Sequence, residues 1–324
     1  MKSNIVAQIR SVALPLGAAL LTAAGAHAAA PAIISIPGEG VFPESLTSDR
    51  DGNIYIGSVG KSQVYRVKKG GDTAEVFIAP GTDGVKQTFG VFVDDKARTL
   101  WVCSNLLGPP PAAGAPPAPP NSLFAFDLKS GTVSGQYAFP AGGFCNDAAV
   151  GADGSVYASD TNGMQVLRLP KGGKTLEVWA GNGAFGPAGG VLDGIAVVEG
   201  RVVINTLATS KLFAIAVQKD GKAGAVTELK LDRPIERPDG MRSFGKRSLL
   251  VAEGGAGGRL SRVDLTGDTG KVTTLKEGFP DGPVAVTVVG TTGYVLEAQL
   301  AAMRAPAGTP PKPFKATAVE VGKP

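Results

Sequence analysis

Only one histidine occurs in the 324-residue sequence, and it is His27. The first 28 residues read as a secretory signal. Lys2 and Arg10 form its positive end, Val12 to Leu21 a short apolar stretch, and Ala26-His27-Ala28 a small-residue cleavage site. The mature chain then begins near Ala29 and has no histidine at all. That absence excludes Ser-His-Asp and Cys-His nucleophile activation, histidine-ligated zinc and histidine general bases. Chemistry in such a chain has to run on carboxylates, amides, hydroxyls, Lys, Arg, Tyr or a bound ion.

Long apolar runs are missing too. No stretch approaches the roughly 20 residues that a spanning helix needs, so no membrane span is predicted. No cysteine stands beside the cleavage site, which argues against a lipid anchor there. The expected location is the periplasm or the exterior. Cysteine is scarce, with Cys103 and Cys145 alone. In an oxidising compartment they form either a disulfide between adjacent repeats or two free buried thiols. A charge excess is also lacking: without Lys2 and Arg10 the 32 basic residues fall to 30, against 28 acidic. No basic stripe stands out, so nucleic acid is not an expected partner. A small-molecule ligand and a monomer are expected.

Glycine and proline, by contrast, are plentiful at 46 and 24 residues. They punctuate short runs of alternating apolar and polar residues, such as Ile54 to Val59 and Gln63 to Lys69, which read as strands between turns. The pattern recurs in six segments and predicts an all-β fold, a six-bladed β-propeller occupying residues 29–324 as one domain. An insertion from Gly108 to Pro120, with seven prolines in 13 residues, reads as an extended surface loop. The sixth segment supplies only three strands: Val284 to Val289, Tyr294 to Ala298 and Phe314 to Val321. The spare run Ala32 to Ile36 at the mature N-terminus is expected to complete that blade.

Five of the six segments, spaced 42 to 57 residues apart, place an oxygen-bearing side chain where the first strand opens: Glu44, Asn146, Asp193, Asp239 and Asp281. Phe89 breaks the set. First strands of a propeller face the central channel, so these side chains are expected to converge on one axis. Clustered carboxylates repel unless a cation neutralises them. Asp-Gly is an ordinary turn dipeptide, and Asp193, Asp239 and Asp281 each precede a glycine. Glu44 and Asn146 do not, so turn chemistry leaves them unexplained. An all-oxygen set without His or Cys suits Ca²⁺ first, then Mg²⁺ or Mn²⁺. Asn105, Asp160, Asn205, Glu253 and Glu297 end second strands and read mostly as solvated strand ends. Phe42, Phe144, Phe185 and Trp179 are candidates for a pocket wall or simple core.

The sequence resembles the gluconolactonase and regucalcin family of six-bladed propellers over nearly all of the mature chain. The likeness rests on Phe42-Pro43-Glu44, on Asn146-Asp147 followed by Asp153-Gly154-Ser155-Val156-Tyr157, on Asp193-Gly194-Ile195-Ala196, and on Arg237-Pro238-Asp239-Gly240-Met241. The resemblance implies a divalent cation in the channel, commonly calcium, with Glu44, Asp193 and Asp239 as ligands. It places Asn146 beside the substrate and makes Asp239 the leading group for activating water, with Glu44 as its alternative. Two departures stand out. Asp193 replaces the family's Asn ligand, and Phe144 replaces an arginine of the sugar lactonases. The substrate side is assigned to Asn146, Phe144 and Asp281. The expected function is metal-dependent hydrolysis of a lactone or related ester, and Phe144 points to an apolar one. The alternatives are a non-catalytic binding propeller, like those of NHL repeats, with a structural ion, and an aryl-ester or organophosphate hydrolase on the same scaffold.

Overall fold

The computed structural model describes residues 1, 30–108, 118–304 and 310–324. The proposed signal and most of the proline-rich insertion lie outside the described residues. Strand formation follows the residue pattern. Second strands such as Ser248–Glu253 are apolar on both faces because each blade is packed between two neighbours, whereas outer strands alternate, as in Val133–Ala138, half-buried and exposed in turn.

Six antiparallel sheets result, and together they form a six-bladed propeller. The inner strands, in chain order, are Pro43–Ser48, Gln87–Asp94, Cys145–Val150, Leu192–Val198, Pro238–Phe244 and Pro283–Val289. The last blade is completed by Ile33–Ile36, which pairs with Phe314–Glu320 from Ile33 opposite Thr317 to Ile36 opposite Phe314. Ile34 and Ile36 are buried there, each contributing about 1.5–3 kcal/mol by leaving water. The outer strand of the fourth blade is split from its continuation. Ala223–Glu228 stays in the fourth blade, while Lys230–Leu231 crosses to pair in parallel with Thr269–Glu277 of the fifth.

The core is six apolar wedges, one between each pair of neighbouring blades. Phe185 and Trp179 belong to the wedge between blades three and four, where the Trp179 indole N–H donates to the Gly221 carbonyl. Cys103 and Cys145 are bonded as a disulfide, joining blade two to blade three. With apolar matter spent between blades, the axis is left to the polar inner strands.

Candidate metal centre

Every inner strand slips register near its start. The breaks fall between Pro43 and Ser45, Thr88 and Val91, Cys145 and Ala148, Leu192 and Ile195, Pro238 and Met241, and Pro283 and Ala285. A bulge leaves residues unpaired and re-aims their side chains. The first unpaired residues are Glu44, Phe89, Asn146, Asp193, Asp239 and Val284, and in blades two to five a second follows: Gly90, Asp147, Gly194 and Gly240. The acids therefore sit within the inner strands, not ahead of them as the dipeptide pattern suggested.

The glycines after Asp193 and Asp239 answer to space. A Cβ on Gly194 would fall 2.5 Å from the Asp239 carbonyl oxygen, and one on Gly240 2.6 Å from that of Val284. Gly90 is held the same way, 2.3 Å from the Asn146 carbonyl oxygen. Inner strands approach so closely at this level that only glycine fits. Two residues before each acid, the backbone turns left-handed at a non-glycine: Phe42, Val191 and Arg237 have φ of 41°, 59° and 47°. Such a conformation is costly, most of all for β-branched Val191. It occurs ahead of all three carboxylates and ahead of neither Phe89 nor Asn146.

Glu44, Asp193 and Asp239 each bring a carboxylate oxygen to within 4.8 Å of the other two. Glu44 and Asp193 are buried, and Asp239 is half-buried at the mouth. Burial pushes all three carboxyl groups well above the usual carboxylate range, and their mutual repulsion adds to it: Asp193 acts on Glu44, Asp239 on Asp193, and Glu44 on Asp239. Opposing influences are smaller, from Arg242 on Glu44, Asn146 on Asp193, and the Gly240 N–H and Arg237 on Asp239. One Glu44 oxygen, Oε2, is buried with no hydrogen-bond partner. A buried, partnerless carboxylate oxygen facing two more carboxylates is a donor set that fits a hard divalent cation. The adjoining void is too narrow to admit a water-sized sphere, and Asn146 and Asp147 also line it.

Asn146 lies beside the trio, its amide donating to Thr161 Oγ1 at 3.2 Å, while Thr161 in turn donates to the Leu192 carbonyl at 2.6 Å. Phe144 meets Phe89 edge-on, ring centroids 4.8 Å apart, so an aromatic pair stands where blades two and three supply no acid. Phe42 packs against Phe314 instead. Asp281 does not join the cluster. The register of blade six puts Val284 at the equivalent place, and Asp281, three residues earlier, pairs with Lys312 Nζ at 2.5 Å. It lines the cleft beside Asp239, about 370 Å³ in volume.

The strand-end residues are buried, not solvated. Asn105 exchanges two hydrogen bonds with the Cys145 backbone, Asp160 accepts from the Phe144 N–H, Asn205 donates to the Asp239 carbonyl, Glu253 accepts from the Glu236 N–H, and Glu297 from the Asp281 N–H. They fasten the segments that enter the inner strands and do not face a substrate.

One layer deeper lies a second charged group that the sequence reading missed. Arg242, from blade five, crosses the axis. Its Nη1 meets Asp147 Oδ2 at 2.7 Å, and its Nη2 donates to the carbonyl of Val91 at 2.9 Å and to Ser45 Oγ and the Leu46 carbonyl, each at 3.3 Å. One guanidinium thus ties blade five to blades one, two and three. Only the adjacency of Asp147 to Asn146, and of Arg242 to the Arg237–Met241 segment, hinted at it.

No protein-family model matches the chain, and no curated protein does. Solved structures do. A gluconolactonase from Xanthomonas campestris is 15% identical with a TM-score of 0.61, covering 89% of each chain. A calcium-binding protein, regucalcin, from Agrobacterium tumefaciens is 12% identical with a TM-score of 0.60, over 90% of this chain and 97% of that one. A catalytically inactive histidine-to-alanine variant of virginiamycin B lyase from Staphylococcus aureus is 16% identical with a TM-score of 0.58, over 88% and 82%. At these identities the likeness establishes the propeller fold.

Proposed function

We propose that this protein is a divalent-metal-dependent hydrolase of a lactone or related ester, with Glu44, Asp193 and Asp239 holding the ion. The observation that carries the reading is the meeting of three carboxylates from three blades, one of which, Glu44, also has a buried oxygen without a hydrogen-bond partner. Ca²⁺ is the first choice, because the set is all oxygen and includes no soft donor. When bound, the ion supplies charge stabilisation for a carbonyl oxygen and lowers the pKa of water.

The chain's own groups supply the rest. Asp239, half-buried at the mouth, is placed to take a proton from water, and Glu44 is the alternative base. Asn146, fixed by Thr161, orients the ester. The half-buried Phe89–Phe144 pair favours an alkyl or aryl portion of the substrate over a sugar. Histidine chemistry of the kind implied for the lyase has no counterpart, since the described residues contain no histidine. The amino-terminal 28 residues are proposed to direct export, which N-terminal sequencing of the mature protein checks.

A panel of aliphatic and aromatic lactones and esters, assayed with and without chelator and with Asp239→Asn, tests the reading. Turnover lost on chelation and in the variant supports it. The narrowness of the void favours a second reading, a purely structural ion in a binding propeller. A folded, metal-loaded protein with no turnover on any ester selects that one.

A further inference from the structure

The cleft beside Asp239 has an apolar side, with Leu207, Pro280 and Leu300, and a polar side, with Arg237, Asp281 and Gln299. Two of those polar groups are already engaged. Asp281 holds Lys312 Nζ, and Gln299 exchanges two hydrogen bonds with the Lys312 backbone, at 3.0 and 2.9 Å. Arg237 is not. Among the arginines whose side chains are described, nine have a carboxylate oxygen within 4.0 Å, and only Arg50 and Arg237 lack one. The segments left undescribed contain no Asp or Glu that would complete it. It is exposed, it lines this cleft, and it stands two residues from Asp239.

Charge makes that position informative. Three carboxylates around one divalent cation leave a negative charge uncompensated, so the Asp239 end of the cleft by itself repels anions. Among the side chains described, Arg237 is the one cation lining the cleft, and it offsets that charge at the wall. A guanidinium fork matches a carboxylate better than any neutral acyl group.

We propose that Arg237 is a specificity-determining residue that binds a carboxylate. The ligand of the cleft is then an anionic lactone or ester: one that carries a free carboxylate besides its scissile carbonyl, with its alkyl portion along Leu207, Pro280 and Leu300. This deepens the hydrolase reading and rests on its bound cation.

Diacids test it without needing turnover, because one carboxylate can sit at the cation and the other at Arg237. Calcium-loaded protein is titrated calorimetrically with succinate, glutarate and adipate and with their monomethyl esters. At least one diacid is expected to bind about tenfold more tightly than its own monoester. Arg237→Met is expected to bring that ratio close to one, and Arg237→Lys to restore part of it. Calcium titration and a melting curve establish that each variant is loaded and folded. An unchanged ratio in Arg237→Met, or no diacid preference in the parent protein, overturns the assignment. Diacid preference without any ester or lactone turnover overturns the hydrolase reading alone. Turnover of neutral lactones without diacid preference overturns Arg237 alone.

Discussion

Two charged groups occupy the axis of this propeller one layer apart, and they are built on opposite plans. In the deeper one, Asp147 has its countercharge within the chain, Arg242 at 2.7 Å, and most polar atoms around it are engaged. In the upper one, Glu44, Asp193 and Asp239 face one another with no cationic partner in direct contact, and Glu44 Oε2 has no partner of any kind. The first is balanced in charge as folded, although Arg242 Nε is buried without a partner. The second is left with repulsion that the proposed cation would relieve, and this contrast is the physical ground for proposing a binding site there and not at the ion pair.

The largest effect is expected at the deeper group. Arg242→Met strands a buried carboxylate and should cost about 3–5 kcal/mol of stability, since breaking one side of a buried pair is far worse than lacking both. Asp147→Asn in the same background should recover much of the loss in urea titrations. A double variant no better than Arg242→Met would mean that the bonds to Val91, Leu46 and Ser45 matter more than the charge.

At the upper group the expected signs reverse. Calcium at 100 times its Kd should add about 2.7 kcal/mol, seen as a rise in Tm that chelator abolishes. No rise with Ca²⁺, Mg²⁺ or Mn²⁺ would remove the contrast between the two groups. Asp193→Asn, in chelator, should stabilise the protein by roughly 1 kcal/mol through relief of repulsion, while weakening the response to calcium without abolishing it, since an amide oxygen still ligates the ion. A matching loss of stability in chelator would mean that Asp193 is a structural acceptor.

The smallest expected effect is a dependence on pH. The three carboxyl pKa values are raised in the folded protein, so it binds more protons than the unfolded chain above the ordinary carboxylate range near about 4. Without cation, the associated stability is fully present below that range and is lost as pH rises through the elevated values. Saturating calcium should flatten the slope. Melting curves in chelator whose midpoint instead climbs over that window would contradict the burial argument.

Much of this was legible from residue order, and the failures share a cause. Blade count and the pairing of Ala32 to Ile36 with the last blade follow from turn residues and apolar alternation, which act locally. Glu44, Asn146, Asp193 and Asp239 could be found because the repeat places them at one bulge. Asp281 looked equivalent because it shares the Asp-Gly dipeptide, yet register is set by strand pairing, and there Val284 takes the place. Arg242 and Asp147 are 95 residues apart. No local pattern joins them, because their meeting depends on how the ring closes. Asn205 and Glu253 looked like wet strand ends because polar residues usually are; here their partners are backbone groups of the segment Glu236 to Asp239, which the sequence does not align with them.

The pairing of Ile33–Ile36 with Phe314–Glu320 also bears on timing. A chain made from its amino end must keep those first four residues unpaired until nearly the last ones emerge. Over that interval the growing array has an open flank, with both the edge of blade six and the wedge beside blade one incomplete. The upper carboxylates come from blades one, four and five, so full affinity for an ion is a property of the finished circle alone. Loading with the proposed metal would then report that Ile33–Ile36 and Phe314–Glu320 have met.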